Sequence, residues 1–159
     1  MLSNLTSIKG HYELYSYFHA DDGFWGLDRI DYTGNARASP ALLPYASVRY
    51  TYKPRPDPTV QFAATGAKVV MSHRLTEITT YVEETPVRRV SLEYEQHCDT
   101  GASMLSSLEE CVLVTKEAPG WNPDPQAQAR FTSCFPKTVL KWTLDCATGP
   151  NAAAWVHKA

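Results

Sequence analysis

Hydrophobic and polar side chains alternate with a period of two along several stretches of the chain. In such a stretch the apolar residues share one face of an extended segment and the polar residues share the other. The alternation is clearest over Val48 to Tyr52, Val90 to Tyr94 and Leu140 to Leu144, each of which is predicted to be a strand. Tyr12 to Phe18 is predicted to be a strand as well. Lys68 to Val82, which is rich in Val, Ile and Thr, predicts one long strand or two.

Residues with turn-forming chemistry separate these stretches. Asp21-Asp22-Gly23 follows the first predicted strand, and Thr33-Gly34-Asn35 is predicted to be the next turn. Glu84-Thr85-Pro86 is predicted to be a hairpin loop. Three prolines between Lys53 and Pro58 fix φ and remove backbone donors, so this segment is predicted to be extended.

Residues 103–114 are open to two interpretations. Four apolar residues of this segment stand at helical spacing: Met104, Leu105, Leu108 and Val112. The continuous run from Cys111 to Val114 instead favours a strand, and the pattern alone leaves both alternatives open. Residues 116–130 contain Pro119-Gly120 and the run Asn122-Pro123-Asp124-Pro125, and they are predicted to be the least structured part of the chain.

Composition limits the class of protein. The chain has 159 residues, which suits one domain, and its 15 basic and 17 acidic residues give a net charge of −2. A pI near 6.2 excludes the basic surface of a nucleic-acid-binding protein. No run of about 18 apolar residues is present, so no membrane-spanning helix is predicted. The abundant Tyr, Trp, Pro and Gly are typical of an all-β protein with many turns.

The N-terminus and the cysteines bear on the cellular compartment. The first residues contain no positively charged region, apolar core or cleavage site, so no cleavable signal peptide is predicted. The abrupt start and end of the chain are typical of a segment from a longer protein. Its cysteines are Cys98, Cys111, Cys134 and Cys146. They form no C-x-x-C pair, and the missing signal peptide favours buried free thiols over disulfides.

No pattern in the chain predicts an active site. The motifs G-x-S-x-G, H-E-x-x-H and G-x-G-x-x-G are missing, and the histidines are widely scattered. His97 and Cys98 are adjacent, but neighbours on a strand point to opposite faces and do not cooperate easily. Asp21 and Asp22 lack the D-x-D-x-D-G ladder of a calcium site. We therefore predict no catalytic, cofactor-binding or metal-ligating residue, and a protein that is not an enzyme.

A series of short motifs runs in a fixed order along the chain. These are R-I-D-Y-T-G-N from Arg29, P-Y-A-S-V-R-Y-T-Y from Pro44, R-P-D from Arg55, R-L-T-E-I from Arg74, V-R-R-V-S-L-E-Y-E from Val87, S-M-L-S-S-L from Ser103, and C-F-P from Cys134 with Trp142. Their order and spacing resemble the middle region of the insecticidal toxin-complex B component and of SpvB-like and RHS (YD-repeat) proteins, which precedes a β-propeller. The resemblance extends over nearly the whole chain, from about Leu2 to Trp142.

The resemblance implies an all-β fold in which antiparallel strands and hairpins form an open curved sheet, part of an RHS-type β-shell. Residues 1–142 would be this β segment, and residues 143–159 a C-terminal tail of unknown structure. Such shells enclose a toxin, so we expect a non-enzymatic structural segment that acts outside the cell without a cofactor. The expected partners are the rest of an RHS or toxin-complex polypeptide or partner toxin subunits. The resemblance also favours a strand over residues 103–114.

Two other classes of protein fit parts of the sequence. Ile8-Lys9-Gly10-His11-Tyr12 is similar to the G-x-W opening of lipocalins, and aromatic-rich strands suit a small barrel that binds or converts a hydrophobic molecule. An enzyme with Cys98 or Cys111 as nucleophile is a third alternative, although no feature identifies its substrate. A closed barrel with an apolar pocket would favour the lipocalin-like protein, and an open sheet would favour the shell.

Overall fold

The computed structural model describes residues 2–113 and 131–142, and every regular element in these ranges is a β-strand. The strands are β1 (Asn4–Thr6), β2 (His11–His19), β3 (Trp25–Asn35), β4 (Ala46–Phe62), β5 (Lys68–Val82), β6 (Thr85–Gln96), β7 (Ser103–Leu113), β8 (Phe131–Cys134) and β9 (Thr138–Val139). The prediction of an all-β chain is confirmed for the part that the structure describes.

All nine strands belong to one antiparallel sheet, in which each strand from β2 to β8 pairs with the strand before it. β9 pairs with β7 on the same side as β8, so these two short strands share the last position of the sheet. β1 lies at the opposite edge and pairs with neither of them, so the sheet is open, as predicted. Short hairpin connections are enough for an antiparallel meander of this kind.

Most of the alternating stretches lie in strands as predicted. β2, β4 and β6 contain the stretches that begin at Tyr12, Val48 and Val90. β5 is one continuous strand rather than two. β7 resolves the ambiguity of residues 103–114 in favour of a strand as far as Leu113, because it pairs with β6 along nearly its whole length.

Thr33-Gly34-Asn35 is the end of β3 and not a turn, so this sequence prediction is wrong. Thr33 has a φ of 79° and lies where the pairing with β2 shifts between Tyr12 and Leu14. Its side-chain oxygen accepts a hydrogen bond of 3.0 Å from the backbone N–H of Tyr45. The turn-forming residues therefore produce a bulge within the strand and do not end it.

Two further boundaries differ from the prediction. The hairpin between β5 and β6 turns at Glu83 and Glu84, and Thr85 already belongs to β6. Residues 140–142 are not a strand, and the Trp142 indole N–H instead donates a hydrogen bond of 2.8 Å to the carbonyl of Leu105. Leu144, residues 116–130 and the tail predicted at 143–159 lie outside the described residues.

An aromatic cluster packs where β2, β4 and β5 meet the start of β3. The Phe24 side chain is buried, and its ring lies 5.0 Å from the His73 ring and 5.6 Å from the Tyr52 ring. Phe18 stacks on Tyr52 with ring centroids 6.2 Å apart. Gly26 makes room for this packing, because a Cβ there would lie 2.9 Å from Cζ of Tyr52. The remaining buried apolar residues of the described part are Ala46, Val70 and Cys111.

Replacing Phe24 with alanine is expected to lower the free energy of unfolding by about 3 kcal/mol, because the buried ring contacts three aromatic side chains. Phe62→Ala is the matched control and is expected to cost less than about 0.5 kcal/mol, since Phe62 is 72% exposed. Urea unfolding followed by circular dichroism measures both losses. Equal losses in the two variants would show that the cluster is not the core of the sheet.

Candidate functional site

The register between the strands divides the sheet into two faces of different chemistry, because residues directly opposite each other point to the same side. One row across the sheet consists of Arg29, Arg49, Thr79, Arg89, Cys111 and Cys134, and we call its side the polar face. The rows on the other side, which we call the apolar face, contain Ile30, Val48, Thr80, Arg88 and Val112, then Tyr50, Ile78, Val90 and Glu110, then Leu92 and Leu108.

Charged side chains on the polar face neutralise one another. An Arg29 nitrogen lies 2.6 Å from a carboxylate oxygen of Asp31, and an Arg49 nitrogen lies 2.7 Å from one of Glu84. The Arg49 guanidinium also lies over the Tyr81 ring, 4.0 Å from its centroid, which is cation–π geometry. Arg29 and Arg49 therefore each have a carboxylate partner.

The small residues of the polar face are the most buried polar residues of the described part. They are Ser47, Thr79 and Ser107. Longer neighbours on the same face bond to them: Arg49 Nε donates to Ser47 Oγ at 3.3 Å, and Thr79 Oγ1 donates to Glu77 at 2.8 Å. The polar face is thus covered by its own side chains.

The apolar face has no comparable cover in the part of the chain that the structure describes. Val48, Ile78 and Val90, at its centre, are only half-buried. The main contacts of each strand are with its neighbours in the same sheet, so within residues 2–113 and 131–142 no second layer packs against these residues. Removing apolar surface from water is the dominant favourable term in folding and association. This face is therefore the surface on which another element or chain would gain most by packing.

The segment Arg55-Pro56-Asp57-Pro58 bulges out of β4 and contacts the start of β7. Its residues have no backbone partner on β5. Pairing between the two strands resumes where Thr59 of β4 lies opposite Met71 of β5. Asp57 forms an ion pair of 2.7 Å with Arg55 and accepts hydrogen bonds from the backbone N–H of Ser103, at 2.6 Å, and from the Ser103 hydroxyl. Arg55 and Ser103 hold the pKa of Asp57 well below its usual value. We call these contacts of Asp57 with Arg55 and Ser103 the latch. The sequence predicts only extended backbone here, and the R-P-D motif is its one local signal of the latch.

Asp57→Asn is expected to lower the free energy of unfolding at neutral pH by about 2 kcal/mol, because it removes a charge-assisted hydrogen-bond acceptor. The folded-state pKa of Asp57 lies below that of the unfolded chain, so the unfolded chain binds the proton more tightly. The stabilisation is therefore complete above about pH 4 and is lost as the pH falls further. Urea unfolding at neutral and acidic pH measures it.

Asp21→Asn, in an exposed turn, is the control for this change and is expected to leave stability nearly unchanged. The Asp57→Asn variant should also show a weaker loss of stability in acid than the wild-type chain. A variant whose acid profile matches that of the wild type would contradict the role assigned to the latch.

Cys111 and Cys134 form a disulfide between β7 and β8, so the prediction of free thiols is wrong. Cys98 is disulfide-bonded as well. That prediction depended on the expectation that the chain has no cleavable signal peptide, and it took no account of residues facing each other across two strands. Since neither Cys98 nor Cys111 is a free thiol in this structure, neither can act as a nucleophile there.

The double variant Cys111→Ala, Cys134→Ala is expected to lower the free energy of unfolding by about 3 kcal/mol, because the two cysteines are separated by 23 positions and the bond constrains that loop in the unfolded chain. Backbone amides of β7 that donate to β8 should also exchange faster with solvent. Urea unfolding and hydrogen exchange measure the two effects. An unchanged exchange rate along β7 would show that β8 stays paired without the bond.

Groups of residues that resemble metal or catalytic sites have other roles. His97, Cys98 and Asp99 lie together, but Cys98 is in a disulfide, and a disulfide sulfur is not a thiolate ligand. His97 Nδ1 accepts hydrogen bonds from the backbone N–H groups of Asp99, at 3.2 Å, and Thr100, at 3.4 Å. A second group consists of Glu109, Cys111 and Cys134. Its two cysteines form the disulfide described above, so they too are not thiolate ligands.

Asp21 and Asp22 occupy the turn between β2 and β3. Asp22 Oδ1 accepts a hydrogen bond of 3.0 Å from the backbone N–H of Phe24, and a hydrogen bond from Ser72 lowers the pKa of the Asp22 carboxyl. Asp22 therefore stabilises the turn beside the aromatic cluster, which is a common use of aspartate at such positions.

Two open depressions mark the surface of the sheet. One, of about 450 Å³, lies beside β1, β2 and β3 and is lined by residues that include His11 and Tyr12. The other, of about 540 Å³, lies over β4 to β7 and is lined by residues that include Lys53, Arg74 and Tyr94. The second depression is the more polar in its lining residues.

Comparisons with known protein families and with curated proteins find no match for this chain. In the described part of the chain, no helix has the length and hydropathy needed to cross a lipid bilayer.

Proposed function

We propose that this chain is a non-enzymatic structural segment of a toxin-complex or RHS-like protein, in which it contributes strands to a hollow β-shell that encapsulates and delivers a toxin. The observation that carries this proposal is the open, single-layer sheet with an uncovered apolar face in the described part of the chain. A wall built of strands needs free edges for further strands, and among the described residues no further strand pairs with β1 at one end of this sheet or with β8 and β9 at the other.

The motifs that carry the family resemblance occupy positions on which the sheet depends. Arg55 and Asp57 of the R-P-D motif form the latch to Ser103, which itself begins another motif. Ser47 and Arg49, from the strand motif that starts at Pro44, lie at the centre of the polar face. Residues with such demanding packing and bonding roles support a fold shared with that family.

The proposed partners are the rest of an RHS or toxin-complex polypeptide or partner toxin subunits, pairing with the β1 edge or with the β8 and β9 edge. Large apolar side chains are exposed close to both edges, among them Leu2, Leu5, Phe135 and Val139. Disulfides persist mainly in oxidising environments, and the Cys111–Cys134 bond supports a location outside the cell. The net charge of −2 supports a role that does not involve nucleic acid.

The alternative is a small lipocalin-like or half-barrel protein that binds or converts a hydrophobic molecule. A barrel of that kind closes its first and last strands around an interior. Here β1 does not pair with β8 or β9, and both depressions described above open to solvent. The open sheet therefore favours the shell segment over the barrel.

The uncovered apolar face predicts that the purified chain self-associates and binds the apolar dye ANS. Replacing Val48, Ile78 and Val90 with threonine is expected to yield a monomer with much weaker dye fluorescence, because threonine keeps the β-branched shape but not the apolar surface. Size-exclusion chromatography with light scattering gives the mass, and circular dichroism confirms that the strands persist.

A second variant, again with three apolar residues replaced by threonine, tests whether self-association depends on the apolar face in particular. Val60, Phe62 and Val69 are exposed in the hairpin formed by residues 59–71, outside the rows of the apolar face, and their threonine variant is expected to associate like the wild type. A wild-type monomer that melts cooperatively and binds no dye would contradict the shell role. Saturable one-to-one binding of a fatty acid by such a monomer would support the lipocalin-like alternative.

A further inference from the structure

Lys53 on β4 lies directly opposite Arg74 on β5. Like charges in directly opposite positions of an antiparallel pair repel each other and destabilise the sheet. Within residues 2–113 and 131–142, no carboxylate comes within 4.0 Å of a side-chain nitrogen of either residue. The pair therefore lacks a counter-charge in the described part of the chain.

The same sheet contains a second pair of this kind that is neutralised. Arg29 and Arg49 also lie directly opposite each other. Their nitrogens lie 2.6 Å from Asp31 and 2.7 Å from Glu84, respectively. Where two arginines are brought together, the chain thus supplies two carboxylates. Lys53 and Arg74 have no such carboxylate among the described residues, which points to a counter-charge from another source.

The surroundings of Lys53 and Arg74 hold the arginine in place. Both residues line the depression of about 540 Å³ over β4 to β7. The Arg74 guanidinium lies over the Tyr94 ring, 4.8 Å from its centroid, and its Nη1 donates to Ser103 Oγ at 2.9 Å. Arg74 Nε is buried and has no hydrogen-bond partner among the described residues. A guanidinium held in this way is preorganised for a planar acceptor.

The remaining lining residues leave room for a polar ligand. Hydroxyl groups are contributed by Thr51, Thr76, Ser91 and Ser106. Two carboxylates also line the depression, but both have other partners. Glu77 accepts a hydrogen bond from Thr79 at 2.8 Å, and Glu93 accepts one from Ser107 at 2.8 Å and pairs with Lys137 at 2.6 Å.

We propose that Lys53 and Arg74 form a binding site for an oxyanion, either a carboxylate or a phosphate group. Arg74 presents a fork of N–H donors that matches two oxygens of such a group, and Lys53, opposite it on β4, adds a point charge. The anion has two possible sources, free inorganic phosphate or an acidic side chain of another polypeptide segment. The site is independent of the shell role, since every residue that forms it lies within β4 to β7 of the described sheet.

Equilibrium dialysis of the full chain tests the site with three probes: inorganic phosphate, a short peptide rich in Asp and Glu, and the same peptide with Asn and Gln. Saturable binding of phosphate alone assigns the site to the free ion, and stronger binding of the acidic peptide assigns it to a polypeptide segment. In both cases Lys53→Gln is expected to weaken binding at least about tenfold, which is the effect of losing one charge-assisted contact. Lys68→Gln, an exposed lysine outside the depression, is the control.

Charge reversal gives a second readout, the melting temperature with and without phosphate. Lys53→Glu places a carboxylate opposite Arg74, so it is expected to raise the melting temperature in phosphate-free buffer and to abolish the further rise that phosphate causes in the wild-type chain. Arg74→Lys, which keeps the charge and loses the fork, is expected to bind more weakly than the wild type. Absence of saturable binding for every probe, or equal binding by the wild type and Lys53→Gln, would overturn the proposal.

Discussion

Backbone pairing between consecutive strands is the interaction on which the rest of this structure depends. In the described part of the chain the sheet has no second layer, and apolar burial is confined largely to the cluster around Phe24. Ladder hydrogen bonds and cross-strand contacts, each worth about 1 kcal/mol or less in net terms, must therefore hold nine strands in register. In a sheet with so little buried apolar surface, an unpaired charge is costly. This explains why Arg29 and Arg49, which lie directly opposite each other, each pair with a carboxylate.

The register of strand pairing decides which side chains lie next to each other on each face of the sheet. Pairing Arg29 with Arg49 creates a repulsion that neighbouring carboxylates remove, whereas pairing Lys53 with Arg74 creates one that remains. The same register places Val48 on the side that nothing in the described chain covers. A slip of one residue would move all these side chains to the opposite face. The proposed contact with further strands and the proposed anion site thus have one physical origin.

The strands could be predicted from the sequence wherever one face is apolar and the other polar, as from Val48 to Tyr52. Prediction failed where a distant contact decides the local structure. Residues 140–142 alternate like a strand, but Trp142 bonds to Leu105, 37 positions earlier. Asp57 bonds to Ser103 across 46 positions, and no periodicity encodes that distance. The disulfide was missed for a related reason, because only the register shows that its two cysteines face each other.

The order of the strands also bears on how the protein acquires its structure. Because each strand from β2 to β8 pairs with the one before it, the sheet can grow strand by strand as the chain leaves the ribosome. The bond between Asp57 and Ser103 is different, because Asp57 is synthesised long before its partner. Before Ser103 reaches Asp57, β5 and β6 must pair in the sheet between β4 and the position of β7. Formation of that bond therefore marks the point at which the middle of the sheet is complete.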